Sequence, residues 1–337
     1  MKKRTIIVSI VLLLTVILVM PSLIVLPLNQ EHASEAKQLS KKKSGPKVVA
    51  LSASVPVSVY RAEAKSVDQM SLDDYLVGVV ACEMPAEFDI EALKAQTLAA
   101  RTFVMNRLLN KPNSIPGGAE VRDTTADQVY KSKSELKQLW GSDYNRKIKR
   151  IEQAVQETED QIITYQGQII QSPLFFSTSN GYTENSENYW ETKIPYLRSV
   201  PSPWDKTSPK YTWTQKMSVA TVEADLGIQL PQQDGELGKV TKWTTGGKQV
   251  GSFSIGGNTF TGRDIREKLG LRSADFSMTR KGNAVTITTK GYGHGVGMSQ
   301  YGADALAKKG KTYKQIIEYY YTGVQISKVT PQMVNKM

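Results

Sequence analysis

Ser71-Leu72-Asp73-Asp74-Tyr75-Leu76-Val77-Gly78-Val79-Val80-Ala81-Cys82-Glu83-Met84-Pro85 reads as a helix with both ends written into it. Ser71 can cap the first turn, and Asp74 three residues on supplies an acidic variant of the capping box. Pro85 closes the helix, because the residue before a proline is pushed out of helical geometry. Glu83 therefore sits at a helix end, after Val79-Val80-Ala81-Cys82 and before Met84-Pro85. A carboxyl in apolar company is desolvated, which raises its pKa and favours the protonated form. That is the state a general acid needs near neutral pH. The alternative is a helix-terminal glutamate satisfied by solvent or by a neighbouring backbone amide.

Outward from this helix the pattern stays mixed. A second helix is predicted from about Ile90 to Leu109, with Ile90, Leu93, Ala100, Val104 and Leu108 on one face. Ala92, Ala95, Ala99 and Phe103 form an adjoining strip that permits close packing. Upstream, Val55, Val57 and Val59 alternate as in a strand. Downstream, Asn145 to Glu159 reads as an exposed, charged helix. Gln161–Tyr165 and Gln168–Ile170 flank a Gln-Gly turn, which predicts a hairpin. Further strands are expected near Tyr211–Met217, Lys248–Ile255 and Ala284–Thr289, with short helices at Gly262–Leu269 and Tyr313–Tyr320. Helices and strands without βαβ regularity imply an α+β fold. Mixed helices and antiparallel strands then make one large body over 51–330, with room for a smaller subdomain and a tail at 331–337.

The N-terminus sets the compartment. Lys2, Lys3 and Arg4 precede a stretch with no charge from Thr5 through Gln30. A bilayer core of ~30 Å needs roughly 20 helical residues. Residues 1–4 are read as a cytoplasmic tail, 5–28 as a transmembrane anchor, and the body as extracytoplasmic. Lys37, Lys41, Lys42 and Lys43 on the other flank pull against that orientation. A cleaved signal peptide is the alternative, but no small-x-small site follows the apolar block, so a retained anchor is expected. Both readings place the body outside. Residues 29–50 form a basic, polar linker.

The net charge of +11 suits an acidic wall polymer or lipid headgroup, or merely a solvated surface. The cations are scattered and no nucleic-acid motif accompanies them, so no nucleic-acid partner is expected. Cys82 is the sole cysteine, which excludes an internal disulfide.

Three further stretches can bear chemistry. Glu91 through Thr102 places Arg101 beside an alanine strip, either as a solvated surface residue or as a planar fork for a carboxylate or sugar. Phe175 to Pro203 is too long for an ordinary connector. Its Tyr189-Trp190 and Ile194-Pro195-Tyr196-Leu197-Arg198-Ser199 pieces suit sugar rings, or pack on their own scaffold. Gly291-Tyr292-Gly293-His294-Gly295-Val296-Gly297-Met298-Ser299-Gln300-Tyr301-Gly302 has alternating glycines that let the backbone approach a ligand or adopt positive φ. It does not follow a strand in a βαβ unit, which argues against a dinucleotide loop. His294 is the only histidine of the folded body, and no ligand spacing supports zinc. No nucleophile elbow supports a serine triad.

Taken together, Tyr75 to Val80, Glu83-Met84-Pro85, Glu91 to Gln96 with Ala99 to Thr102, and Gly293 to Ala303 closely resemble the stage II sporulation protein D family, also called the SpoIID/LytB domain family. The resemblance spans about residues 50 to 328. It implies a lytic transglycosylase of peptidoglycan that cleaves between N-acetylmuramic acid and N-acetylglucosamine and leaves a 1,6-anhydro product. It also implies a preference for strands already stripped of peptides by a partner amidase. Family members act with the sporulation proteins P (an amidase/endopeptidase) and M (a membrane protein) at the septum or engulfing membrane during engulfment.

Glu83 matches the family's catalytic glutamate. Arg101, Tyr196, Arg198 and Tyr319 fall where the family has glycan-site residues, with a looser match at Arg198 and Tyr319. His294, Ser299 and Gln300 belong to the signature loop and are assigned to substrate binding by that position. Some relatives carry zinc, but this chain lacks the extra histidine and cysteine ligands, so neither a metal nor another cofactor is expected. A hydrolase would instead need a second carboxylate, for which Glu87, Asp89, Glu184, Glu187 and Glu191 are candidates. The family also includes amidase enhancers, so a non-catalytic, wall-binding enhancer is the second expectation.

Overall fold

The computed structural model describes residues 55–110 and 115–336. The expected tail at 1–4, anchor at 5–28 and linker at 29–50 lie outside the described residues. Among the described residues no helix is long and apolar enough to cross a membrane.

The chain opens with β1 (Pro56–Arg61) and β2 (Ser66–Ser71), an antiparallel pair that feeds directly into α1 (Leu72–Glu83). Ser71 Oγ accepts the Asp74 amide at 3.1 Å and donates to the Asp74 carboxylate at 2.9 Å. The cap therefore forms as expected, and α1 stops at Glu83, with Met84 already extended before Pro85. The long α2 (Ile90–Asn110) runs through the middle of the main core. Its buried residues go round the whole helix rather than along one face, because α1 and the elements that follow cover it on several sides.

Next come β3 (Val121–Arg122), α3 (Lys133–Trp140), α4 (Tyr144–Gln156), β4 (Gln161–Tyr165) and β5 (Gln168–Ile169). The Gln-Gly turn between β4 and β5 places Gln166 at φ 51° and Gly167 at φ 76°, the left-handed pair that a tight hairpin requires. Then follow β6 (Phe175–Phe176), the short α5 (Ser186–Trp190) and β7 (Thr212–Ser218).

A second, smaller core occupies the next stretch: α6 (Val219–Leu226), β8 (Gly235–Glu236), β9 (Lys239–Trp243), β10 (Val250–Ile255), β11 (Asn258–Thr261), α7 (Gly262–Lys268), β12 (Phe276–Lys281) and β13 (Ala284–Lys290). Two antiparallel sheets, ordered β7-β13-β12-β8 and β11-β10-β9, enclose Val222, Phe253, Ile265, Phe276, Val285 and Ile287. Each such side chain contributes about 1.5–3 kcal/mol by leaving water. The chain then returns to the first core through β14 (Met298–Ser299), α8 (Gln300–Lys308), α9 (Tyr313–Tyr320) and β15 (Gln325–Lys328). The end expected as a tail forms α10 (Pro331–Val334), whose Met333 and Val334 pack on that core.

The architecture is α+β. Two pairings depart from the antiparallel expectation: β1 with β3, and β14 with β6, are parallel. The second is decisive for the site. It stitches Met298-Ser299 to Phe175-Phe176, fixing the glycine-rich loop on the main core.

Gly78 explains how α1 meets its neighbour. A Cβ there would stand 2.3 Å from the Tyr130 ring and 2.5 Å from the Lys131 carbonyl oxygen. Glycine lets the segment before α3 press against α1, and that segment supplies the amide that reaches Glu83.

Candidate functional site

Glu83 closes α1 half-buried. Burial pushes its carboxyl up to about 7, opposed only by a hydrogen bond from the Val129 backbone, and no neighbouring charge contributes. At neutral pH the group is thus poised between acid and base. Its neighbour Cys82 is pushed the other way for a nucleophile: burial raises the thiol to about 12, so little thiolate forms.

The glycine-rich loop closes on Glu83 from the far end of the sequence. Gly291, Gly293, Gly295 and Gly297 all have positive φ, between 82° and 118°, which explains their alternation. The loop ends at Ser299, the N-cap of α8, whose Oγ accepts the Gly302 amide. Gln300 follows, and its Nε2 donates to the Glu83 carbonyl at 2.9 Å. The same amide lies 3.4 Å from Oε1 of the buried Gln96 on α2.

Ser299 is itself buried and donates to Asp205 Oδ1 at 2.5 Å. Asp205 also accepts the Ser179 amide at 3.0 Å and the Ser202 hydroxyl, which meets Tyr320 Oη at 2.8 Å. Burial raises the Asp205 pKa despite these donors. Ser299 is therefore a framework residue rather than a free hydroxyl, and its bond to Asp205 helps seat Gln300 against Glu83.

His294 lies half-buried among Phe176, Tyr189 and Trp190, with ring centroids 5.8, 5.8 and 5.0 Å away. Its Nδ1 accepts the Val296 amide at 3.1 Å. Burial, and then the Arg266 charge, push it down to about 4. The ring is neutral at neutral pH and carries its proton on Nε2, where it can donate but not act as a cationic acid.

The other expected glycan-site residues are each engaged by the fold. Tyr196 is 7% exposed, and its hydroxyl accepts the Ser172 amide at 3.1 Å. It lines a hollow of about 450 Å³ that shares Gln171 and Ser172 with a second hollow of about 530 Å³ bordered by Phe103 and Arg107. Tyr319 donates to the Pro201 carbonyl at 2.6 Å and packs near Trp204. Arg198 is held by a bidentate pairing with Glu187 and by Ser186 Oγ at 3.0 Å.

Arg101 corrects the sequence reading. It is 0% exposed, and its guanidinium donates to the Thr158 carbonyl at 2.6 Å and the Val155 carbonyl at 3.0 Å. It satisfies carbonyls at the end of α4 that no helical amide reaches, and so serves the fold rather than a strand arriving from solution.

The candidate second carboxylates are occupied in different ways. Glu87 is exposed and paired with Arg146 and Lys147. Asp89 accepts the Glu91 amide at the start of α2. Glu184 is 1% exposed and saturated by donors. Glu187 is held down to about 2, first by Arg198. Glu191 is exposed at the left-handed C-cap of α5. Among the described residues, no group of three or more His, Cys, Asp or Glu side chains could hold a metal ion.

Sequence reasoning missed Val129, Gln96, Asp205 and Arg107. Arg107 pairs with the buried Asp127 at 2.7 Å and borders the hollow beside Phe103. A glycine inside an apolar helix at Gly78 was the one local hint that a backbone segment approaches there.

Comparison with known proteins places the chain in a family. The family described as Stage II sporulation protein matches residues 60–165, which include Glu83 and α2. Stage II sporulation protein D of Bacillus subtilis (strain 168) is 50% identical over 323 residues, covering 94% of this chain and 93% of that protein. The protein of the same name in Bacillus amyloliquefaciens is 49% identical over 324 residues, with the same coverage. The Amidase enhancer of Bacillus subtilis (strain 168) is 29% identical over 307 residues, covering 75% of this chain and 40% of that longer protein. At half identity along nearly the whole of both chains, the protein belongs to the stage II sporulation protein D family.

Proposed function

We propose that the chain is a lytic transglycosylase that cuts peptidoglycan glycan strands between N-acetylmuramic acid and N-acetylglucosamine, with Glu83 as its acid and base. What carries this reading is the place of Glu83, half-buried at the end of α1 with one backbone donor, where burial pushes its carboxyl up to about 7. Such a group donates its proton to the glycosidic oxygen as the C–O bond breaks. The resulting carboxylate then takes the proton of the muramic acid 6-hydroxyl, whose oxygen bonds to the anomeric carbon. Glu83 ends protonated, the sugar ends as a 1,6-anhydro ring, and no water is consumed. One carboxyl suffices, and the pairing of Glu184 and Glu187 elsewhere supports a mechanism without a second. The hollows beside Tyr196 and Arg107 are the surfaces proposed to receive the strand.

On this reading residues 5–28 anchor the chain in the membrane once, with residues 1–4 cytoplasmic and the body facing the wall at the septum or engulfing membrane. Peptide-stripped strands are its substrate, sporulation protein P its amidase partner, and sporulation protein M its membrane partner.

The relative named Amidase enhancer supports a second reading, in which the chain binds wall and stimulates an amidase without cutting. One experiment separates the two. The full chain is incubated with peptide-free glycan, and products are read by mass spectrometry. Anhydro-ended fragments that vanish in Glu83→Gln support the transglycosylase. Water-added reducing ends move the reading to a muramidase. No fragments, with amidase stimulation undiminished in Glu83→Gln, leaves the enhancer.

A further inference from the structure

A line of rings and cations leads away from Glu83 onto the second core. Phe88, in the turn that follows Glu83, meets Tyr301 edge-on at 4.9 Å. Tyr301 directly follows Gln300, the residue that touches Glu83. Lys210 Nζ lies 5.7 Å from the Tyr301 ring and 5.6 Å from that of Tyr292. Arg272 then sits 5.1 Å from Tyr292 and 3.6 Å from Trp213 on β7. From Tyr301 onward ring and cation alternate.

The far end of this line is at the surface and is held in place. Trp213 is 43% and Tyr292 39% exposed, two of the few large hydrophobic side chains left in water. Together with Arg272 they border a hollow of about 460 Å³. The Arg272 carbonyl accepts the Gly293 amide at 2.8 Å, and the Tyr211 carbonyl accepts that of Gly291 at 2.7 Å. The backbone on both sides of Tyr292 is thus tied to the strand and turn that present Trp213 and Arg272. Glu267, the acid at this hollow, is paired with Arg263 at 2.8 Å, so the free charge along the line is positive.

Exposed rings grouped in one patch mark an interaction surface, and the cations between them favour an anionic ligand. We infer that Trp213, Arg272, Tyr292 and Lys210 form an extended track for a linear, carboxylate-bearing glycan. The rings pack on sugar C–H faces, and the two cations meet acid groups along the strand. The inference rests on the glycan-cutting reading and deepens it. Removing peptides from muramic acid uncovers a lactyl carboxylate fixed on the sugar itself, so the track selects stripped strands by where that charge lies, away from the bond that is cut.

The test uses the full chain carrying Glu83→Gln, so that no strand is cut during binding. Long peptide-free strands are compared with the same strands after their carboxylates are amidated. Adding Trp213→Ala and Arg272→Gln is expected to weaken binding of the acidic strands by about tenfold and that of the amidated strands far less. Arg272→Lys, which keeps the charge and alters the stacking, should fall between. Circular dichroism that matches the parent shows that the exposed substitutions leave the fold intact. Unchanged binding, or an equal loss on both strands, overturns the track. So does competition by polyphosphate that is indifferent to Trp213→Ala, which reads as charge alone. Failure of the glycan-cutting reading looks different: the chain with Glu83 restored leaves strands whole, while binding still depends on Trp213 and Arg272.

Discussion

Two glutamates that the fold draws out of water, Glu184 fully and Glu83 in part, are treated in opposite ways. Glu184 is 1% exposed and accepts the Asn185 amide at 2.8 Å, Asn188 Nδ2 at 2.7 Å, Thr244 Oγ1 at 2.5 Å and the Gly247 amide at 2.9 Å. It ties the loop at α5 to the turn between β9 and β10. Glu83, at the end of α1, has one backbone donor and no ionic partner. A carboxylate surrounded by donors is stable and chemically inert, whereas one left nearly bare is costly and ready to hold a proton. The fold supplies donors lavishly where a carboxylate is a strut and withholds them at Glu83, which is the pattern expected of a working group.

Exchanging each acid gives the largest effects and crosses them over. Glu83→Gln is expected to lower cleavage by about a thousandfold, within the range for loss of a general acid, while leaving the folded chain intact. Glu184→Ala is expected to do the reverse. It strands several donors in the interior and should cost about 3–5 kcal/mol of stability, read as a lower urea midpoint, with turnover per folded molecule little changed. Equal loss of stability in both variants breaks the comparison.

Next in size is Arg101. Its guanidinium holds the Thr158 and Val155 carbonyls, so Arg101→Met should cost about 2–4 kcal/mol of stability and leave KM for glycan unchanged. A raised KM with unaltered stability would return Arg101 to the strand path.

Arg101 also marks where sequence reading reaches its limit. The helix before Glu83, its cap and its proline stop were legible because each signal acts over three or four residues. So was the Gln166-Gly167 turn. The burial of Arg101 was not, because it depends on the end of a helix 54 residues away, and nothing beside Arg101 announces it. The same holds for Ser299, legible as part of a loop but not as the partner of Asp205, 94 positions earlier. Local conformation was readable, as was the raised carboxyl it isolates. Which polar side chains face water was set by long-range pairings such as β6 with β14.

The pH dependence sharpens the contrast on a smaller scale. On the proposed mechanism the cycle starts from protonated Glu83, whose carboxyl burial pushes up to about 7. Cleavage should therefore be steady below that value and fall as pH rises through it, approaching about tenfold per pH unit well above it. A fall centred near the ordinary carboxylate range would place the acid elsewhere.

The smallest expected effect tests the physical cause directly. In the unfolded chain Glu83 titrates near its ordinary 4.5, and in the folded chain near 7. Below the lower value both states hold the proton, and the carboxyl has no pH-dependent effect on stability. Between the two values the unfolded state releases its proton while the folded state retains it, so folding loses stability as pH rises. Above about 7 the loss is complete. Glutamine has no proton to release. Glu83→Gln should therefore match the parent at pH 4 and become more stable than it at pH 8. The gain is about 1 kcal/mol once the partial exposure of the group is allowed for. Urea midpoints at the two pH values measure it. If the two chains keep step across that range, Glu83 ionises freely in water, and the contrast with Glu184 loses its physical basis even if the variant is inactive.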